Sequence, residues 1–257
     1  MTNFENDKVS LSITNGFKVK INPTKIAFWL IKLVLIILIV GTIANVIIYN
    51  VAPSTDHKLA KIMQRFDLGH EPSIPAWYSS IALLGSSILL IIIALIKKSN
   101  EDKYVLHWFV LSFVFLYLSL DEAVMIHEMA DDTLHSWLDS GGIIYFAWVI
   151  PGIFFVLLFT LFFTKFLINL EPRTRWLFIA SGLVFVGGAI GLELIEGVIV
   201  DAQGIEGGFK SFQLTIAQTI EEGLEMFGIV LFIYALLEYI NKHINLVVVK
   251  TSTREYN

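Results

Sequence analysis

The chain contains no cysteine, which excludes disulfide scaffolds, thiolate zinc sites and cysteine nucleophiles. Charge is scarce as well, at 16% of residues, against about 25% in an ordinary soluble domain. The 18 Lys and Arg face 23 Asp and Glu, for a net charge of −5. No arginine-rich segment offsets this balance, which speaks against a nucleic-acid partner. The sequence also lacks a long polar stretch that could form a sizeable extramembrane domain, so a soluble partner has little to hold.

What the sequence has instead is hydrophobicity, 56% of its 257 residues, gathered into long runs. Residues 77–96 and 143–164 contain no charge at all. At about 1.5 Å per helical residue, each spans the roughly 30 Å hydrocarbon core of a bilayer. Six apolar segments can be drawn, at about 26–49, 77–96, 104–128, 143–168, 174–200 and 213–240, the third, fifth and sixth of them interrupted by carboxylates. The expected fold is therefore all-α: a polytopic bundle of six transmembrane helices, with a polar head over 1–25 and a polar tail over 241–257. The first apolar run is too long for a cleaved signal peptide and reads as an uncleaved helix.

Lysine and arginine orient the bundle. Lys8, Lys18, Lys20 and Lys25 precede the first span, Lys97, Lys98 and Lys103 follow the second, and Lys165, Arg173 and Arg175 follow the fourth. The alternate connections hold only Lys58, Lys61, Arg65 and Lys210. The positive-inside rule then places both termini in the cytoplasm of a cell-membrane protein. Of the connections, 51–76 is the longest, and its part from Asp56 to Phe66 is amphipathic enough to lie on the membrane surface. Gly187 and Gly191 form a small-xxx-small pair that suits close helix packing. Pro151-Gly152 is expected to kink the fourth span. Gly204, Gly207 and Gly208 suit a mobile connection between the last two spans.

The carboxylates are the functional signal. The third span carries Asp121, Glu122, His127 and Glu128, the fifth Glu193 and Glu196, and the sixth Glu221, Glu222 and Glu225. With the orientation above, all lie at a similar depth in the outer leaflet. Spacings of three put Glu193 with Glu196, and Glu222 with Glu225, on common helix faces. An unbroken third span brings Asp121 and Glu128 nearly into register. An acid at a helix centre costs about 2.5–3.5 kcal/mol on translocon scales, and no Lys or Arg lies in the outer halves of these helices. Water, shared protons or a bound cation must compensate, and each implies a polar cavity open to the outside.

A multivalent cation accounts for the mixture of ligands best, because carboxylates with imidazole suit iron, manganese or zinc. On this reading His127, Glu128, Glu193, Glu196, Glu222 and Glu225 bind a divalent metal. Asp121, Glu122 or Glu221 orients ligands or serves as general base. The implied function is a metal-dependent membrane hydrolase or oxidoreductase acting on a lipid or small apolar substrate. The alternative is a cation- or proton-coupled transporter using the same glutamates, although the inner halves of the spans offer few polar residues for a through-path. Plainer readings stand beside these. Asp131, Asp132, His135 and Asp139 suit a solvated turn, His127 and Glu128 suit interface snorkelling, and the glutamates suit hydrogen bonding between protonated acids.

The segment LSLDEAVMIHE, residues 118–128, resembles one found in bacterial polytopic membrane proteins, where a Leu-Asp-Glu step precedes His-Glu. That resemblance implies a multipass membrane protein and brings no activity with it.

Overall fold

Hydrocarbon offers the backbone no water to bond, so the charge-free runs must satisfy their peptide groups internally, as helices. The computed structural model describes residues 16–18, 21–50, 57–70, 72–138, 140–204, 211–243 and 247–249. Most of the polar head and tail, Gly207 and Gly208, and Asp139 lie outside the described residues.

Nine helices follow in order among the described residues: α1 (Pro23–Asn50), α2 (His57–Met63, continued by a 3-10 turn, Gln64–Phe66), α3 (Ile74–Ser99), α4 (Val105–Val124), α5 (Ile126–Leu138), α6 (Val149–Asn169), α7 (Pro172–Val186), α8 (Glu193–Gln203) and α9 (Phe212–His243). A π-helical turn, Gly187–Leu192, joins α7 to α8. Six spans are long and apolar enough to cross a membrane: α1, α3, α4, α6, the continuous α7–π–α8 unit, and α9. This is the architecture of an integral multipass membrane protein. A short antiparallel ribbon pairs β1 (Gly16–Lys18) with β2 (Val247–Val249).

Helix starts follow local chemistry. Ser73 accepts a hydrogen bond from the Ala76 amide at the head of α3, and Ser211 accepts one from the Leu214 amide at the head of α9. Pro172 stands in the first turn of α7, where its missing N–H costs nothing. The same holds for Pro151, which falls in the first turn of α6 because that helix begins at Val149. The expected kink in the fourth span is therefore corrected: the proline starts a helix rather than bending one.

Among the six spans α9 is the most buried, packing against α1, α3, α7, the π turn and α8. Gly228 lets α7 pass close by, since a Cβ there would lie 2.8 Å from the Phe185 nitrogen. Gly188 does the same for the π turn, where a Cβ would lie 2.9 Å from the Glu221 carbonyl oxygen. Gly187 and Gly191, the pair expected to carry close packing, meet nothing within 4 Å. The close contact belongs to the residue between them, because the π turn shifts the helical phase. Between α3 and α4 two serine pairs exchange hydrogen bonds. Ser80 and Ser119 each donate to the other's carbonyl, at 2.7 and 2.8 Å, and so do Ser87 and Ser112, at 2.8 and 3.0 Å.

One end of the bundle is filled by aromatic side chains. Trp108, Phe163, Phe166, Phe178, Phe232 and Tyr239 pack into a buried cluster, with Trp108 and Phe166 at 5.0 Å between centroids. Around its rim the charges are paired: Lys97 with Asp102 at 2.9 Å, Arg173 with Glu238 at 2.8 Å, and Lys242 with Glu171. The acids of interest occupy the opposite end.

Candidate functional site

The third span does not run unbroken through residue 128. It ends at Met125, whose φ of 57° and ψ of 49° place it in the left-handed region, an uncommon conformation for a side chain of this kind. Its amide donates to the Asp121 carbonyl at 2.7 Å, closing the helix end. A new helix, α5, then starts at Ile126. The expected alignment of Asp121 with Glu128 is thus overturned: Glu128 is exposed on α5. The break achieves something else. Asp121 Oδ1 accepts the His127 backbone N–H at 2.8 Å, and Asp121 Oδ2 lies 3.0 Å from His127 Nδ1. One carboxylate therefore fixes both the first turn of α5 and the imidazole it carries.

Trp148 ties this pair to the glutamates. Its ring lies 5.0 Å from the His127 ring, its backbone N–H donates to Asp131 Oδ1 at 3.0 Å, and its indole Nε1–H donates to Glu193 Oε1 at 3.3 Å. Gly152 makes room for this indole, for a Cβ there would sit 3.1 Å from it. Neither Trp148 nor Asp131 stood out in the sequence, where the first suits an interfacial anchor and the second a solvated turn. His135, also assigned there to a solvated turn, is half-buried, with Nδ1 2.7 Å from Ser140 Oγ.

Glu193 is half-buried and Glu196 is 4% exposed. Both meet Glu221 of α9 side chain to side chain, and Glu193 also feels His127 and Asp131. Glu221 in turn faces Glu193, Glu196 and Glu225. Two carboxyls form a hydrogen bond only when one carries a proton, and Glu196 Oε1 has no hydrogen-bond partner. α9 thus presents Glu221 and Glu225 to the π turn and α8. Glu222, the next residue of α9, is half-buried. Glu122 is half-buried on α4 beside Asp121. The structure therefore brings Glu193, Glu196 and Glu221 together, with Glu225 next to them and the Asp121–His127 pair linked through Trp148. Among the described residues, no three His, Asp or Glu form a group in the geometry that holds a metal ion.

The π turn positions the acids. π turns are rare and recur at functional sites, and this one, GGAIGL, ends directly at Glu193. Without it Glu193 and Glu196 would leave α7 at a different angle. Its glycines are the sequence signal that could have located it.

A family model matches residues 32–239, and its description is Domain of unknown function (DUF8692). The chain belongs to this family. The match takes in all six spans in whole or part and every acid named above. No curated protein and no solved structure matches the chain.

Proposed function

We propose that this DUF8692 member is a metal-dependent membrane hydrolase whose centre is the Glu193–Glu196–Glu221 cluster with His127. The observation that carries the reading is the juxtaposition of Asp121-held His127 with three mutually facing glutamates. A carboxylate on Nδ1 orients the imidazole, the usual support for a metal-ligating histidine. His127, Glu193 and Glu221 are not gathered to ligand distance of one another as they stand; drawn together, they would offer one divalent iron, manganese or zinc ion a donor set of imidazole and oxygen that suits those metals. When bound, the ion would supply a Lewis acid.

The chain's own residues do the rest. Asp121 orients His127, Trp148 and Asp131 hold Glu193 in place, and Glu196 Oε1, buried and unpartnered, accepts the proton of the attacking water. Glu225 adds negative charge beside Glu221, while Glu128 and Glu222 lie outside the proposed ligand set. The substrate class is a lipid or small apolar molecule, reaching the site from the bilayer. Positive-inside bias and the pairing of β1 with β2 support both termini in the cytoplasm of a cell membrane, which sets the cluster toward the outer leaflet. Metal analysis of protein purified in mild detergent tests this reading. About one equivalent per chain is expected, lost in Glu221→Gln; metal-free protein that takes up none on reconstitution overturns it.

A second reading, proton- or cation-coupled transport, draws on the mutually facing carboxyls of Glu193, Glu196 and Glu221, because intramembrane carboxylates commonly carry protons and cations. Against it stands the aromatic cluster of Trp108, Phe166, Phe178 and Phe232, which packs the opposite end of the bundle. Flux in proteoliposomes that Glu221→Gln abolishes would decide for transport.

A further inference from the structure

Away from the carboxyl cluster, α1 and the α2 segment enclose a groove of about 380 Å³ lined by Val40, Ile43, Ala44, Ile47, Met63 and Phe66. Every lining side chain is apolar. The segment that roofs it is amphipathic in a definite way. At about 100° per residue, Leu59, Ile62, Met63 and Phe66 occupy one arc, while Lys58, Lys61 and Arg65 occupy a narrow arc beside it. Lys61 and Arg65 are exposed, and so are Ile62 and Leu59. Basic residues flanking an exposed apolar face mark a helix that lies in the headgroup layer. Met63 and Phe66 face the groove, so the basic side chains stand within a turn of its mouth.

The segment is held firmly against the bundle. Leu68, 2% exposed, sits over Gly41 of α1, where a Cβ would come within 2.6 Å of it. Leu68 also packs with Val34, Met226 and Val230. Along 57–70 three Lys and Arg face a single acid, Asp67, which is itself buried and so does not neutralise them at the surface. An apolar recess below a cationic rim, at the boundary of a membrane span, matches one ligand chemistry: a hydrocarbon chain joined to an anionic headgroup.

We propose that the groove between α1 and α2 is a binding site for one anionic phospholipid, with an acyl chain along Val40, Ile43 and Ile47 and the phosphate at Lys61 and Arg65. The site is separate from the glutamate cluster, and its occupancy does not depend on what the cluster does. Lipid there would brace α2 and the turn that carries Leu68, at the same end of the bundle as the glutamates.

Native mass spectrometry of the full chain in mild detergent tests this, with phosphatidylglycerol and phosphatidylcholine of identical acyl chains as probes. The wild type is expected to retain one phosphatidylglycerol in preference to phosphatidylcholine. Each basic side chain near an anionic layer contributes about fivefold in affinity, so Lys61→Gln/Arg65→Gln is expected to cut the preference by about tenfold or more. Ile43→Trp, which fills the groove, is expected to lower retention of both lipids. Leu157→Trp, on the exposed face of α6, serves as its control and should change nothing. Because Lys61 and Arg65 lie on the surface, their variant keeps the test sound if the groove variant fails to fold. Equal retention of the two lipids by the wild type overturns the proposal. So does an unchanged preference in Lys61→Gln/Arg65→Gln.

Discussion

Asp121 holds His127 at two points, accepting its backbone N–H at 2.8 Å and facing its Nδ1 at 3.0 Å. The first contact caps α5, and the second orients the imidazole. Loss of a capping side chain costs about 0.5–2 kcal/mol, so Asp121→Ala should lower stability by about 1 kcal/mol and speed hydrogen exchange at the first amides of α5. Asp121→Asn keeps an acceptor for the backbone N–H but not the carboxylate on Nδ1. It should therefore preserve the exchange pattern while shifting the His127 nitrogen resonances. Identical behaviour of the two variants would show that the aspartate is only a cap.

Helix contact supplies a second expectation. A methyl group on Gly228 would meet the Phe185 backbone at 2.8–3.0 Å, whereas one on Gly182 would meet nothing within 4 Å. Overpacking of this kind costs about 1–3 kcal/mol. Gly228→Ala should lower the thermal midpoint in detergent by several degrees, and Gly182→Ala should leave it unchanged or raise it. A matched response at both positions would contradict the packing described for α7 and α9.

The serine pairs joining α3 to α4 give a third. Interhelical hydrogen bonds in membranes average about 0.6 kcal/mol each. Ser87→Ala/Ser112→Ala removes two of the four bonds and should cost about 1 kcal/mol, with a similar loss for Ser80→Ala/Ser119→Ala. Unfolding in mixed micelles measures both.

Asp67 gives the fourth, and it depends on pH. This side chain is 3% exposed, accepts the Gly69 N–H at 3.1 Å, and has Asn45 of α1 and the His70 charge beside it. Burial pushes its carboxyl above the usual carboxylate range, against the opposing effects of the Gly69 bond, His70 and Asn45. A group whose pKa is raised in the docked state favours docking when protonated. Docking of the 66–70 turn is therefore strongest below the ordinary carboxyl pKa and weakens as pH rises through the raised value. Exchange protection at Leu68 and Gly69, corrected for intrinsic rates, should fall over that window and become flat in Asp67→Asn. His70→Gln separates the contribution of the neighbouring imidazole.

These expectations differ in how far the sequence alone could reach them. Six spans were legible because runs of about 20 predominantly apolar residues have few other uses. The amphipathic stretch to Phe66 was legible for the same kind of reason, as α2 and its 3-10 turn bear out. The break at Met125 was not, because methionine has no preference for the left-handed region; the tertiary grip of Asp121 on α5 selects it. The rotational phase between helices was also hidden. Spacing alone groups Glu222 with Glu225, yet Gly188 and Gly223 set α9 so that Glu221 meets α8 instead. The π turn adds to the same difficulty, since one widened turn changes the direction of every residue after it. Trp148 was masked by its frequency at membrane interfaces, where an indole needs no further explanation.

Cation binding by the glutamate cluster is tested most directly by titrating Mn2+ into the detergent-solubilised wild type and Glu221→Gln, following free Mn2+ by electron paramagnetic resonance. One site per chain is expected in the wild type, displaced by competing Zn2+ and absent in Glu221→Gln at unchanged thermal stability. Equal Mn2+ uptake by the two proteins, or none by either, would contradict a metal centre at Glu193, Glu196 and Glu221.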